Sequence, residues 1–381
     1  MLVSVSFTMM GQNTSTINQQ NTAQRILSGN VNTKGVTVGG YGEITYNGEI
    51  GKNAEMDVQR LVLLFGYKFD DKTQFITEVE FEHVKEVYIE QAFLQHSLSD
   101  NINLRAGLML VPMGIVNEYH EPTTFNGTER PSMDGAIIPT TWREIGFGIS
   151  GKSDAASLRY QAYFFNGFQS TKSDGNGIIT AGLIGGSKGL RGGRQKGAKS
   201  NFNHANFSTK LDYYGISGLR LGLSGYFGKT QSPNDVADLE GASVGIAMAG
   251  LDARYAFKRF SARGQFIYAN ISDTEAYNTA TGKDLGSALQ GYYVEAGYNL
   301  LSQAKKQELI GFVRYEDYNT HAGTAAGLSA NDAYNRQEVT VGLSYKIARG
   351  AVLKADYQFK NNAVTTAETK KQLNFGVGVR F

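Results

Sequence analysis

Alternation of apolar and polar residues along strand-sized segments is the feature that most limits the folds open to this chain. The final segment, 371–381, carries five apolar side chains on one face of an extended chain: Leu373, Phe375, Val377, Val379 and Phe381. Glycines and polar residues occupy the other face. A transmembrane barrel strand has this pattern, because lipid covers one face and the interior holds water. A half-buried strand of a soluble sandwich is the alternative from this segment alone.

The whole chain repeats this pattern and predicts about sixteen strands. They lie near 36–46, 56–69, 73–83, 86–98, 102–111, 141–150, 156–166, 205–214, 219–229, 242–257, 259–271, 288–300, 307–317, 336–347, 351–360 and 371–381. Short connections alternate with long ones, and an outer-membrane barrel has short periplasmic turns facing long extracellular loops. We therefore predict an all-β fold, a transmembrane antiparallel β-barrel with this loop arrangement. The orientation of the segment 86–98 stays undecided, because it has polar residues on both faces.

Composition agrees with a barrel and excludes several other classes. Hydrophobic residues make up 41% of the chain, and no apolar run reaches the length of a transmembrane helix. The chain has no cysteine, which excludes disulfides, thiolate metal sites and a lipoprotein anchor. A formal charge of +2 gives no electrostatic reason to expect nucleic acid as a partner.

The amino-terminal part divides into two predicted segments before the barrel. Residues 1–11 contain a short apolar run that we interpret as the remnant of an export signal, cleaved near Gly11, with a first strand or a frayed tail as the alternative. Residues 12–34 are rich in Asn, Gln, Thr and Ser and predict an irregular polar segment. The barrel is expected over 35–381, with the loop 112–140 folded inward.

Charged residues on the polar faces are the predicted lining of the lumen. The acidic set is Glu43, Glu78, Glu80, Glu82 and Glu295, and the basic set is Arg60, Arg105, Arg220, Arg254, Arg263 and Arg314. Charge at every second position indicates an interior that holds water, because unpaired buried charge is costly. Acidic and basic walls facing each other would produce a transverse field across the pore. Local pairing with Asp212, Asp252 and Glu316 is the alternative.

The segment 112–144 is the most informative connection. Its predicted constriction residues are Glu118, His120, Glu121, Glu129 and Arg130. A divalent-metal site of Glu118, His120 and Glu121 is the alternative, since carboxylate oxygen and imidazole suit zinc or manganese, but the sequence identifies no orienting partner for the single imidazole. We predict instead that these groups pin the loop to the inner wall through Arg130, Arg143 and lumen arginines, and we expect neither metal nor cofactor.

Three stretches of the sequence carry a family resemblance: GIVNEYHEP at 114–122, FNGTERP at 125–131 and TWREIGFGISG at 141–151. They resemble the phosphate-selective porin O/P family, particularly its Bacteroidetes members. The resemblance implies a sixteen-stranded, homotrimeric outer-membrane channel with its third loop folded inward. It also implies that Phe381 is the end recognised by the barrel assembly machinery. The stretch LRGGRQK at 190–196 is similar to the basic loop of the family, where Arg191, Arg194 and Lys196 would draw anions to the mouth; a solvated glycine-rich loop is the alternative.

The predicted function is a passive diffusion channel for small hydrophilic solutes or ions in the outer membrane of a Gram-negative bacterium. A phosphate- or anion-selective channel is the alternative. It is not the first prediction, because the sequence lacks the uninterrupted arginine ladder of phosphate-selective family members. A barrel-borne adhesin or hydrolase is the second alternative. We expect no enzymatic activity, because no catalytic motif occurs in a supporting context.

Overall fold

The computed structural model describes residues 20–28 and 35–381, and the predicted export-signal remnant at 1–11 lies outside them. These residues form eighteen strands: β1 (Gly35–Glu49), β2 (Glu55–Lys68), β3 (Thr73–Glu82), β4 (Glu86–Ser99), β5 (Ile102–Leu110), β6 (Arg143–Ser153), β7 (Leu158–Phe165), β8 (Thr171–Ser173), β9 (Ile179–Gly182), β10 (Asn206–Tyr213), β11 (Leu219–Lys229), β12 (Gly245–Phe257), β13 (Phe260–Ile271), β14 (Ala288–Asn299), β15 (Glu308–Gly323), β16 (Asn335–Ala348), β17 (Ala351–Asn362) and β18 (Lys370–Arg380). The helices are α1 (Thr22–Ser28), α2 (Met133–Ala136) and α3 (Thr274–Thr281), with short 3-10 turns at Arg191–Gly193, Asn234–Val236 and Asp332–Tyr334.

Sixteen of the strands form one closed antiparallel barrel. Each pairs with its neighbours along the chain, β7 pairs with β10, and β1 closes the barrel onto β18. The strands β8 and β9 form a separate hairpin within a long loop. The predicted fold class is confirmed: the chain is an all-β transmembrane antiparallel barrel. Strand β15 extends to Gly323, beyond the predicted end at 317, because its far end still pairs with β14.

Side-chain alternation accounts for the two faces of the wall. On β11, Leu221 and Leu223 point outward and are 41% and 51% exposed, whereas the inward Arg220 and Ser224 are buried. The same period of two repeats around the barrel and produces an apolar outer surface. No helix among the described residues is both long and apolar enough to cross a membrane.

The connection between β5 and β6, residues 111–142, folds into the lumen, and we call it loop 3. Most of its side chains are buried, including those of α2. The Asn117 side chain closes the neck of the loop: its Nδ2 donates to the carbonyls of Val111 (2.7 Å) and Trp142 (2.9 Å), and its Oδ1 accepts from the Trp142 backbone N–H. Trp142 then stacks on Phe168 from the next long loop, with 4.4 Å between ring centroids.

Helix α1 corrects the prediction that 12–34 is wholly irregular. Ala23 of the helix is buried in an apolar cluster with the inward side chains Leu64, Ile76 and Phe93. Burial of an apolar face explains why a short segment of polar composition is helical here. This part of the lumen is packed with side chains, so the prediction that the whole interior holds water is also wrong.

Glycine makes the close approach of α1 to the wall possible. A Cβ atom on Gly39 of β1 would lie 2.7 Å from Thr22 Cγ2, and one on Gly66 of β2 would collide with Ile26. Only glycine at these inward positions leaves room for a helix against the strands.

Candidate functional site

An open space in the lumen lies between loop 3 and the wall formed by β1, β2, β17 and β18. It is a cavity of about 440 Å³ lined mainly by polar groups; we call it the passage. Four cationic side chains line it, Arg60, Arg130, Arg191 and Lys360, together with three carboxylates, Glu43, Glu82 and Glu129. The passage therefore presents charges of both signs to anything that enters it.

The charges along the passage are only partly paired with each other. Arg60 Nε lies 2.7 Å from Glu43 Oε1, and Arg130 Nη2 lies 3.9 Å from the same atom. Lys360 instead donates to the Gln372 side chain at 3.1 Å, and Arg191 donates to the Thr140 carbonyl. Because these last two cations use neutral acceptors, their charge is less compensated than that of Arg60.

The other side of the barrel holds most of the predicted basic lining. Arg220, Arg254, Arg263 and Arg314, with Glu295, are absent from the lining of the passage, and Arg254, Arg263 and Glu295 line a smaller cavity between loop 3 and this wall. Their ion pairs are Arg220 with Asp212 at 2.9 Å, Arg254 with Asp212 at 3.3 Å, Arg263 with Glu295 at 3.0 Å, and Arg314 with Glu316 at 2.9 Å and Glu295 at 3.5 Å. Loop 3 covers this wall, so each arginine needs a neighbouring carboxylate to compensate its buried charge. The local-pairing alternative describes this wall.

Loop 3 is held to that wall by hydrogen bonds to buried side chains. Lys210 Nζ donates to the Gly114 carbonyl at 2.5 Å and to Glu118 Oε2 at 2.8 Å. Wall side chains also accept from loop backbone N–H groups: Gln265 from Ile115 at 2.6 Å, Asp356 from Thr128 at 2.6 Å, and Glu316 from Met133 at 3.1 Å. These bonds place the loop across the lumen and leave the passage along one side.

The predicted constriction residues separate into different environments. Glu129 and Arg130 line the passage. Glu118 pairs with Lys210, and Glu121 accepts from the Thr22 backbone N–H and lies 3.4 Å from Arg380 Nη1. His120 contacts neither carboxylate, so the alternative of a metal site from Glu118, His120 and Glu121 is wrong.

His120 instead meets two glutamates of the wall. Its Nε2 lies 3.3 Å from Glu90 Oε2, and the His120, Glu90 and Glu78 side chains form one buried cluster. The register of β3 and β4 shifts at this point, since Glu78 pairs with Gln91 but Val79 pairs with Ile89. This β-bulge turns both Glu90 and Gln91 inward. It explains why strict alternation left the orientation of 86–98 undecided.

The remaining predicted residues are also placed by the structure. Glu80 is buried with its Oε1 3.4 Å from Arg60 Nη1, and Glu78 lies in the His120 cluster, so neither lines the passage as predicted. Arg105 donates to Gln95 at 2.7 Å on the wall near α1, away from the passage. Of the two predicted lining sets, Glu43, Glu82 and Arg60 reach the passage, and other side chains cover the rest.

The predicted mouth residues lie beside the neck of loop 3. Arg194 Nη1 donates to the Thr140 carbonyl at 3.0 Å, and Lys196 Nζ lies 4.8 Å from the Tyr88 ring centroid. Of this set, Arg191 reaches the passage. Phe381 is 55% exposed, and its backbone pairs with Gly40 of β1.

Two residues that line the passage were absent from the predicted lining sets. Lys360 and Gln372 face it from β17 and β18, and their inward position follows from the alternation that predicted those strands. Their proximity to loop 3 had no signal in the sequence, because it depends on where the loop crosses the lumen.

Comparisons with known proteins agree with this architecture. The chain is similar to the anion-selective porin from Comamonas acidovorans, with 13% identity, 92% of this chain and 100% of that chain covered, and a TM-score of 0.59. It is also similar to the outer membrane channel DcaP of Acinetobacter baumannii, with 13% identity, coverage of 91% and 97%, and a TM-score of 0.57. At these identities the likeness establishes the fold.

A sequence relative is found in Aquifex aeolicus (strain VF5). This uncharacterized protein is 32% identical over an alignment of 345 residues that covers 85% of this chain and 75% of the relative. No family model matches the chain. The extent and identity of the match show that the chain belongs to the same protein family as this uncharacterized Aquifex aeolicus protein.

Proposed function

We propose that this protein is an outer-membrane porin, a passive diffusion channel for small hydrophilic solutes and ions. The observation that carries the proposal is the passage, a polar cavity of about 440 Å³ left open by loop 3 inside a closed barrel. The apolar outer surface fits lipid, and the polar lining fits hydrated solutes. The similar solved structures described as a porin and as an outer membrane channel add support.

The lining supports weak selectivity with a slight preference for anions. Glu43 compensates Arg60, while Lys360 and Arg191 use neutral acceptors. Glu82 and Glu129 also face the passage and oppose a purely basic field. Because opposite charges a few ångströms apart partly cancel, the passage discriminates weakly between small cations and anions. A strongly phosphate-selective channel would need a denser basic lining.

The family and cellular setting belong to the same proposal. The resemblance to the phosphate-selective porin O/P family and the sixteen-stranded barrel support a homotrimer in the outer membrane of a Gram-negative bacterium. Assembly there would require the barrel assembly machinery, with Phe381 as its recognition end.

Planar-bilayer recording of the purified protein tests this function. We expect stable open channels in symmetric KCl, and a small reversal potential of anionic sign across a KCl gradient. Replacing chloride by phosphate should change the reversal potential only slightly. Folded barrels that insert without conducting would refute the channel, and a large potential specific to phosphate would favour the anion-selective alternative.

A further inference from the structure

We propose that Glu78, Glu90 and His120 form a divalent-cation site, occupied by zinc, that clamps loop 3 to the barrel wall. One oxygen from each carboxylate and one imidazole nitrogen lie within 4.8 Å of one another, and all three residues are buried. They come from β3, β4 and loop 3, so a bound ion would join the loop to two strands. This inference does not depend on whether the barrel conducts.

The spacing of the polar atoms suits a small four-coordinate ion. His120 Nε2 lies 3.3 Å from Glu90 Oε2, and the Tyr41 hydroxyl lies 2.9 Å from the nitrogen and 3.0 Å from the oxygen. Ligand atoms about 2.1 Å from a tetrahedral zinc ion are separated by about 3.4 Å. Small side-chain movements would therefore bring the three residues to coordinating distance, with the Tyr41 oxygen or a water in the fourth position.

The surrounding hydrogen bonds orient the proposed ligands. His120 Nδ1 lies 3.0 Å from the Asn117 carbonyl, which can only accept, so Nδ1 carries a proton and loss of the Nε2 proton would turn a lone pair toward the cluster. Gln91 Nε2 donates to Glu78 Oε2 at 2.6 Å. Metal-binding histidines and carboxylates are held by outer partners of this kind.

An unsatisfied oxygen points independently to a missing partner. Glu90 is fully buried, and its Oε1 has no hydrogen-bond partner among the described residues. A buried carboxylate oxygen without a donor costs free energy, and a cation would satisfy it. The second oxygen of the same carboxylate, Glu90 Oε2, faces His120.

Charge balance favours a divalent ion over a proton. Two adjacent buried carboxylates repel each other, and a single imidazolium compensates only one of them. Arg60 is engaged by Glu43 and Glu80. A divalent cation displaces the proton from His120 and leaves a neutral cluster of two carboxylates, one neutral imidazole and the metal. Imidazole with carboxylate ligands and no thiolate suits zinc.

The β-bulge in β4 brings the residues of the cluster together. Regular alternation would turn either Glu90 or Gln91 outward, whereas the register shift at Glu78 keeps both inside. Glu90 then faces the ion and Gln91 orients Glu78. Bulges commonly re-aim side chains at functional sites in this way.

Zinc binding by the full-length barrel tests the proposal. Protein stripped with a chelator and refolded in detergent with ZnCl₂ should retain one zinc per chain after dialysis, measured by elemental analysis. Refolding in the presence of zinc lets the ion reach the three residues, which are buried in the docked state. The variant His120→Gln should lower zinc affinity by at least about 100-fold, and Gln91→Ala by about 10–100-fold, as loss of an orienting partner does.

A matched histidine controls for adventitious binding. His83 forms an exposed pair with Asp57 at 2.5 Å, and His83→Gln should retain one zinc per chain. No retained zinc in the wild type, or equal retention in His120→Gln, would overturn the site. If His120→Gln does not fold, zinc-edge absorption of the wild type decides. One imidazole with oxygen ligands at about 2.0–2.2 Å supports the site, and several imidazoles or none overturn it.

Discussion

Replacing Lys210 by methionine should release loop 3 from the wall. Lys210 is buried, and its ammonium donates to the Gly114 carbonyl at 2.5 Å and to Glu118 Oε2 at 2.8 Å. Methionine keeps the length of the side chain but removes the charge and the donors. Glu118 would then be left in the interior, where the Gln161 side chain donates to it at 2.7 Å.

The size of the effect follows from the burial of the pair. Removing one partner of a buried ion pair costs about 3–5 kcal/mol, because the other charge stays uncompensated. At about 1.4 kcal/mol per factor of ten, the ratio of undocked to docked loop should rise by at least about 100-fold. The double variant K210M/E118M removes both charges and should recover most of the loss.

Limited proteolysis measures the undocked population. Cleavage after Glu129 by a glutamate-specific protease should accelerate by at least about 100-fold in Lys210→Met, since cleavage tracks the open fraction when docking is fast. Lys346→Met is the matched control, because its pair with Glu308 at 2.8 Å is partly exposed. Exposed pairs contribute at most about 1 kcal/mol, so the control should change the rate by no more than about fivefold. If Lys210→Met, in an intact barrel, were cleaved after Glu129 at the same rate as the wild type, the account of loop docking would be refuted.

Three further predictions concern the passage and the pH response of the loop. Glu82→Gln and Glu129→Gln together should shift the reversal potential toward anions, and the shift should shrink at 1 M salt, where the Debye length is about 3 Å. Lys360→Gln should shift the same potential toward cations, and no change in either direction would mean that ions take another route. Burial raises the pKa of Asp134, which lies on α2 outside the strands, from about 3.8 to about 7. The protonated acid therefore stabilises the docked loop below about pH 3.8, and this contribution is lost as the pH rises through about 7. Asp134→Asn should remove this part of the pH dependence of cleavage after Glu129, and an unaltered pH profile would count against it.

The fold was predictable because each strand carries its own signal. The alternation over 219–229, for example, matches β11, since lipid and lumen act on successive residues whatever the rest of the chain does. Predicting the inward loop depended on the family resemblance and on the charged residues of 112–144. The short helix α1 had no comparable signal, because its burial depends on glycines 39 and 66 in distant strands.

The candidate site was predictable only in part, for a related reason. Inward position follows from period two, which correctly places Glu43 and Arg60 inside. Whether an inward charge lines the passage depends on which wall loop 3 covers, and this is a long-range property. The cluster around His120 escaped prediction because a single register shift in β4 reverses the alternation locally.

Cysteine modification during single-channel recording tests the central claim most directly, because the chain has no cysteine of its own. Gln372→Cys places a thiol in the passage, and Asp71→Cys places one on an exposed turn, where the native side chain is 98% exposed. We predict that a bulky methanethiosulfonate reagent lowers the conductance of the Gln372→Cys channel and leaves that of the Asp71→Cys channel unchanged, with mass spectrometry confirming that both thiols react. Full modification at position 372 with unchanged current would contradict the assignment of the passage as the route of permeation.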